Sequence, residues 1–197
     1  MTVRSPAQSR RIASVALVAL TALALAPDAP ANPIADIQAD DGGAGVVASA
    51  TGGGHLLIGG ALDVKFSLSA VQQADGTAHG SFRHSVLFQD QLVEFHGDVT
   101  CVSVDPDNHR AWIGGTILRN NSEHADFTTE RTQPDRDIWF RVLDNEERGD
   151  EADRSTFVGF EGDADIITSL EYCGTQPWPD DNARTSPLIQ GNIEVRP

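Results

Sequence analysis

The chain has 197 residues, 40% of them hydrophobic and 22% charged, with 29 acidic against 14 basic side chains and a net charge of −15. So acidic a surface repels phosphate backbones and anionic headgroups, which excludes nucleic acid and anionic membrane as expected partners.

The N-terminus reads as an export tag. Arg4, Arg10 and Arg11 precede an apolar run from Ile12 to Ala26, which ends in small residues and prolines. This is the layout of a secretory signal peptide, and the run of about 15 residues falls short of the roughly 20 that span a bilayer. Ala29-Pro30-Ala31 supplies a cleavage motif, so residues 1–31 are read as signal peptide. Removing Arg4, Arg10, Arg11 and Asp28 with it leaves 11 − 28 = −17 on the exported chain. Residues 32–53, rich in Ala, Gly and Asp, read as a flexible leader, and 54–197 as a single β-domain. No later apolar run is long enough for a membrane span. The expected location is outside the cytoplasm, extracellular or periplasmic.

From there the pattern has period two. Leu62, Val64, Phe66, Leu68 and Ala70 alternate with Asp63, Lys65, Ser67 and Ser69, which predicts a strand. Asp75-Gly76 marks a turn, and Gly80–Phe88 returns with Phe82, His84, Val86 and Phe88 on one face. Further strands are predicted over 92–104, 111–118, 137–143, 155–160 and 188–196, with 55–58 able to open the set. No helical stripe of useful length follows residue 40. The fold class is therefore all-β, an antiparallel small β-barrel or, alternatively, a β-sandwich. Glycines within or beside strands, among them Gly97, Gly114 and Gly115, favour a closed or sharply bent sheet. Cys101 and Cys173 in an exported chain predict a disulfide, closing a loop of about 72 residues.

The blocks GGGH, ADGTAHGSF, HGDVTCVSV, AWIGGTI, RVLDNEERG and GNIEVR, spread over residues 52–196, resemble those of a group of small secreted bacterial β-domain proteins with no assigned activity. The resemblance implies one exported β-domain and no mechanism. Where that group has a glycine after Asp-Asn, this chain has Glu146.

Several clusters carry possible chemistry. Glu94, His96 and Asp98 alternate along one strand with Val93, Phe95, Val99 and Cys101, so the acidic and imidazole groups share a face. Successive ligands about 7 Å apart on a strand are too far apart to grip one zinc ion unaided, and the simplest reading is a solvated face. By the same alternation Val102 and Val104 fall on the polar side, so part of that face must be covered. His84, among apolar neighbours, reads as a partly buried histidine with a hydrogen-bonded ring, or else as a pocket residue. These four, His84, Glu94, His96 and Asp98, are the catalytic candidates. The acidic run from Asp144 to Asp153 offers Asp144, Asn145, Asp150 and Asp153 as calcium candidates, although the EF-hand pattern is absent and Arg148 sits inside it. Trp178, between Pro177 and Pro179 in a long loop, is the ligand-binding candidate. No nucleophile elbow, zinc-binding helix, P-loop or dinucleotide fingerprint occurs, and no cofactor is called for.

The leading expectation is a non-catalytic extracellular module binding a small molecule, glycan or protein. The alternatives are a secreted hydrolase or isomerase with a His and carboxylate site inside a barrel, and a structural surface component.

Overall fold

The computed structural model describes residues 45–145 and 151–197. The segment read as signal peptide, and the leader up to residue 44, lie outside the described residues. Nine strands and one helix follow in the order β1 (Val46–Ile58), β2 (Leu62–Gln73), β3 (Ala78–Phe88), β4 (Gln91–Asp105), β5 (Arg110–Asn120), β6 (Asp137–Leu143), β7 (Arg154–Ser155), β8 (Gly159–Phe160), α1 (Ser169–Thr175) and β9 (Ser186–Arg196). Every pairing is antiparallel. The strands form one sheet, β5-β4-β3-β2-β1-β9-β7-β6-β8, and β5 also pairs with β6, so the sheet closes into a ring. The fold is the all-β antiparallel one that the alternation predicted.

β2 and β3 form the expected hairpin. Asp75 Oδ1 accepts hydrogen bonds from the backbone N–H and the hydroxyl of Thr77, and Gly76 takes φ 84° at the tip. The next turn, Gln89-Asp90, has both residues at positive φ, as a two-residue hairpin requires, without a glycine to advertise it. β1 reaches back to Val46, inside the stretch read as leader. Its Ala48 and Ala50 are buried, so strand pairing begins earlier than the composition suggested. The single strand predicted over 155–160 is instead two short ones, β7 and β8, both laid against β6.

One residue decides the parity of β4. The register with β5 slips between Val99 and Cys101, leaving Thr100 as an extra residue. Beyond this bulge inward and outward positions exchange. Val93, Phe95 and Val99 belong to the interior cluster before it, and Val102 after it. Cys101 is thereby turned outward, which corrects its expected place beside Val99, and Val102 and Val104 need no cover on the polar side.

The interior is filled. Phe66, Phe82, Phe95, Phe140 and Phe160 join Ile113, Ile117, Ile138 and Ile193 in one buried cluster drawn from almost every strand, as a ring of about eight strands permits. Phe82 lies directly opposite Gly97, and a Cβ at Gly97 would stand 2.2 Å from the Phe82 ring. The glycine is required so that the ring can lie flat across the sheet.

A second layer covers the outer face of β4, β5 and β6. The Cys101–Cys173 disulfide, with Cα atoms 6.2 Å apart, ties α1 to β4. Gly114 lets the helix approach, since a Cβ there would lie 2.7 Å from both Cys101 Sγ and the Ser169 side chain. Trp112, Trp139, Ile166 and Tyr172 form a separate buried cluster in this layer, with Trp178 packed against it. Helix α1 is a departure from the helix-free expectation. It has only seven residues, too few for a periodic stripe, but Thr168 and Glu171 begin it as a capping pair: the Thr168 hydroxyl accepts from the Glu171 N–H.

Candidate functional site

The four catalytic candidates do not converge. His84 pairs with Phe95 in the register and points into the ring, whereas Glu94, His96 and Asp98 pair with Ser85, Arg83 and Ser81 and point outward. Strand alternation places His84 on one side of this wall and the other three on the opposite side.

His84 is completely buried. Its ring lies against those of Phe66, Phe82, Phe140 and Phe157, with centroids 4.6 to 6.2 Å away. Neither ring nitrogen has a hydrogen-bond partner. Burial alone pushes the imidazole down to about 3, so it is neutral at any physiological pH. The hydrogen-bonded ring expected from sequence is absent here, because the rings packed around it are phenylalanines.

Glu94 was expected to face solvent. It is buried, because residues 120–123 fold back over it. Arg83 donates to Glu94 Oε2, and Asn121 Nδ2 donates to Oε1 at 2.9 Å, where His96 Nε2 also sits at 3.0 Å. Burial pushes the Glu94 carboxyl up, but the bonds from Asn121, Arg83 and His96 and the charge of Arg83 outweigh it and hold the group at about 2. Asp98 is exposed. The cluster clasps a loop to the sheet. Glu94→Gln is expected to lower stability at pH 7 by about 2 kcal/mol, the size of a lost charge-assisted bond set. Because the native carboxyl titrates below the ordinary 4.5, its contribution is complete above that pH and fades as pH falls toward 2. Urea denaturation at pH 7 and pH 3 measures both; equal losses at the two pH values would refute the charged role.

The calcium candidates within the described residues are turned to structural use. Asp144 Oδ2 accepts from the Val195 N–H at 3.0 Å. Asp153 accepts from Asn145 N–H at 2.8 Å and Ile193 N–H at 2.7 Å, and Asn145 donates to the Ala152 carbonyl. Asp150 lies outside the described residues. Among the described residues no group of three or more His, Cys, Asp or Glu side chains is placed to hold a metal ion.

Trp178 has the richest surroundings. It borders a cavity of about 220 Å³ between the outer face of β6 and the second layer, together with Trp139, Arg141, Asp163, Tyr172 and Arg184. Trp139 and Tyr172 stack, with centroids 5.6 Å apart and an interplanar angle of 22°. The Arg184 guanidinium lies 4.2 Å from the Trp178 ring centroid, and Arg184 Nε donates to Asp181 at 3.0 Å. Trp178 has φ 55°, the left-handed region that a bulky side chain seldom adopts. That conformation is held by Arg141, which is buried beneath it and donates to the carbonyls of Trp178, Pro177 and Asp181. Trp112 Nε1 also donates to Pro177, at 2.9 Å. A strained aromatic clamped by neighbouring groups is a recurrent feature of ligand sites.

No family model, curated protein or solved structure matches this chain. The site is therefore described by its own residues. Sequence reading found Trp178 but missed Arg141, Tyr172 and Arg184. Arg141 carried a signal: a charged residue in the apolar run DIWFRVL, flanked by Phe140 and Val142. Tyr172 and Arg184 carried none, since only the chain's return across β6 brings them there.

Among the described residues, no helix is long and apolar enough to cross a membrane.

Proposed function

We propose that the protein is an exported, non-catalytic binding module, and that its ligand is a small molecule seated between β6 and the second layer, against Trp178. The observation that carries this reading is the aromatic cavity itself: Trp139, Tyr172 and Trp178 border it, and a clamped backbone fixes Trp178 in place. Small-molecule sites are concave and largely apolar, with a few fixed polar groups. A non-catalytic role is supported by the separation of His84 from Glu94 and His96, since catalysis needs titratable groups within hydrogen-bond reach of one another. Export is supported by the Cys101–Cys173 bond, which persists in oxidising compartments, and by the layout of residues 1–31.

The test is a panel of ring compounds (benzoate, phenol, benzamide and methyl glucoside) titrated into the exported protein, with the tryptophan indole N–H signals followed by NMR. At least one is expected to bind saturably and to move the Trp139 and Trp178 signals, and Trp178→Ala is expected to weaken that binding at least tenfold. If no probe shifts either indole, or the alanine variant binds unchanged, the reading fails.

A further inference from the structure

The geometry points to a small organic anion, a carboxylate carried on a ring, as the ligand class of the Trp178 cavity. The inference rests on the binding-module reading above and adds the charge of the ligand to it.

It begins with Arg141. The residue is 1% exposed, on the outer face of β6. Its terminal nitrogens donate to three backbone carbonyls, those of Pro177, Trp178 and Asp181. Carbonyls satisfy donors without cancelling a charge. Among the described residues no carboxylate oxygen lies within 4.0 Å of this guanidinium, and its Nε has no hydrogen-bond partner. A buried cation normally has an ionic partner, because removing it from water is costly. Burial lowers the affinity of Arg141 for its proton; nearby Arg110 and Arg184 act in the same direction, opposed by Tyr172 and Asp181. An anion entering the cavity would relieve that destabilisation.

The acids nearby already have partners. Asp163 accepts from Arg131 at 2.6 Å and from the Phe160 N–H at 3.0 Å. Asp181 accepts from Arg184 and from the Ala183 N–H. Arg184 on the wall is thus paired with Asp181, which leaves Arg141, among the described residues, as the wall cation without a carboxylate partner, on a chain whose net charge is −15. Such a contrast steers an anion to this place and away from the rest of the surface.

Size and walls select the rest of the ligand. A dry cavity of about 150 Å³ takes one benzene ring. The present cavity, about 220 Å³, has room for a ring and a carboxylate. Three aromatic side chains border it, and the Arg184 guanidinium already lies over the Trp178 ring, so a ring could stack with its carboxylate on the Arg141 side, where a small shift of the buried guanidinium would bring Nε–H to it.

The experiment compares benzoate, benzamide and acetate on the exported protein by NMR, following the arginine Nε–H and tryptophan indole signals. Benzoate is expected to bind at least tenfold more tightly than benzamide, which has its shape without the charge, and than acetate, which has the charge without the ring. It is expected to shift the Arg141 Nε–H signal, and Arg184→Gln is expected to narrow the benzoate-to-benzamide ratio severalfold. Benzamide binding as tightly as benzoate at the same indoles would overturn the anion inference and leave the binding-module reading standing. Failure of both ring compounds to bind would overturn the anion inference, and failure of phenol and methyl glucoside as well would overturn the binding-module reading. Benzoate binding that leaves Arg141 Nε–H unmoved and survives Trp178→Ala belongs to another place and overturns the inference as well.

Discussion

Replacing His84 with leucine is expected to stabilise the protein, by about 2 kcal/mol at pH 7 and by roughly twice that at pH 5. The first figure reflects two buried imidazole nitrogens with no partner, each of which costs of order 1 kcal/mol or more, exchanged for an aliphatic side chain of similar size. The second adds linkage. The folded imidazole titrates at about 3 and the unfolded one near 6.5. Between those values the unfolded chain holds a proton that the folded chain does not, so stability is complete above about pH 6.5 and declines as pH falls, levelling below about 3. At pH 5 the gap amounts to about 2 kcal/mol, and at the acid end to about 5 kcal/mol. Leucine has no such proton. Urea midpoints of the two proteins from pH 7 to pH 4 measure the difference directly. A leucine variant that is less stable at pH 7, or that runs parallel to the wild type through the acid range, would mean that the imidazole has a partner inside the ring. Loss of stability with no loss of benzoate binding would place that partner away from the Trp178 cavity.

Removing the disulfide by changing both Cys101 and Cys173 to serine is expected to cost roughly 4 kcal/mol, the chain-entropy value for a loop of 72 residues. For a domain of this size that corresponds to a fall in Tm of roughly 8 to 16 °C. The effect should reach beyond the bond itself, because α1 covers β4, β5 and β6 and carries Tyr172, one wall of the cavity. Ring-compound binding should therefore weaken along with stability. Calorimetry of the double variant gives the first number, and the Tyr172 and indole signals the second. A loss below about 1 kcal/mol would show that the second layer holds without the cross-link.

These two expectations come from opposite faces of one wall, and they mark how far alternation can be read from a linear chain. Leu62 to Ala70 announced β2, and Asp75-Gly76 its turn, because a strand half in water must alternate and a tight turn must tolerate positive φ. Phe82, His84 and Val86 could be placed on one face for the same reason. The same rule failed at Thr100, where one extra residue exchanges the faces of β4 and sends Cys101 out to meet α1. A bulge is set by the partner strand, and nothing in VTCVSV declares it. Glu94 was misjudged because its cover, Asn121 and Ser122, arrives from a loop 27 and 28 residues further along the chain.

By itself the sequence determined the class of the fold, the strands of its main hairpins and the pairing of its two cysteines. Each follows from local rules of alternation, turn chemistry and redox compartment. The tertiary structure decided which histidine is entombed among phenylalanines, which carboxylate is clasped, and how Arg141, Tyr172 and Arg184 gather around Trp178. Those depend on where long connections return across the sheet, and loop return is governed by the packing of distant surfaces that no short window of residues contains.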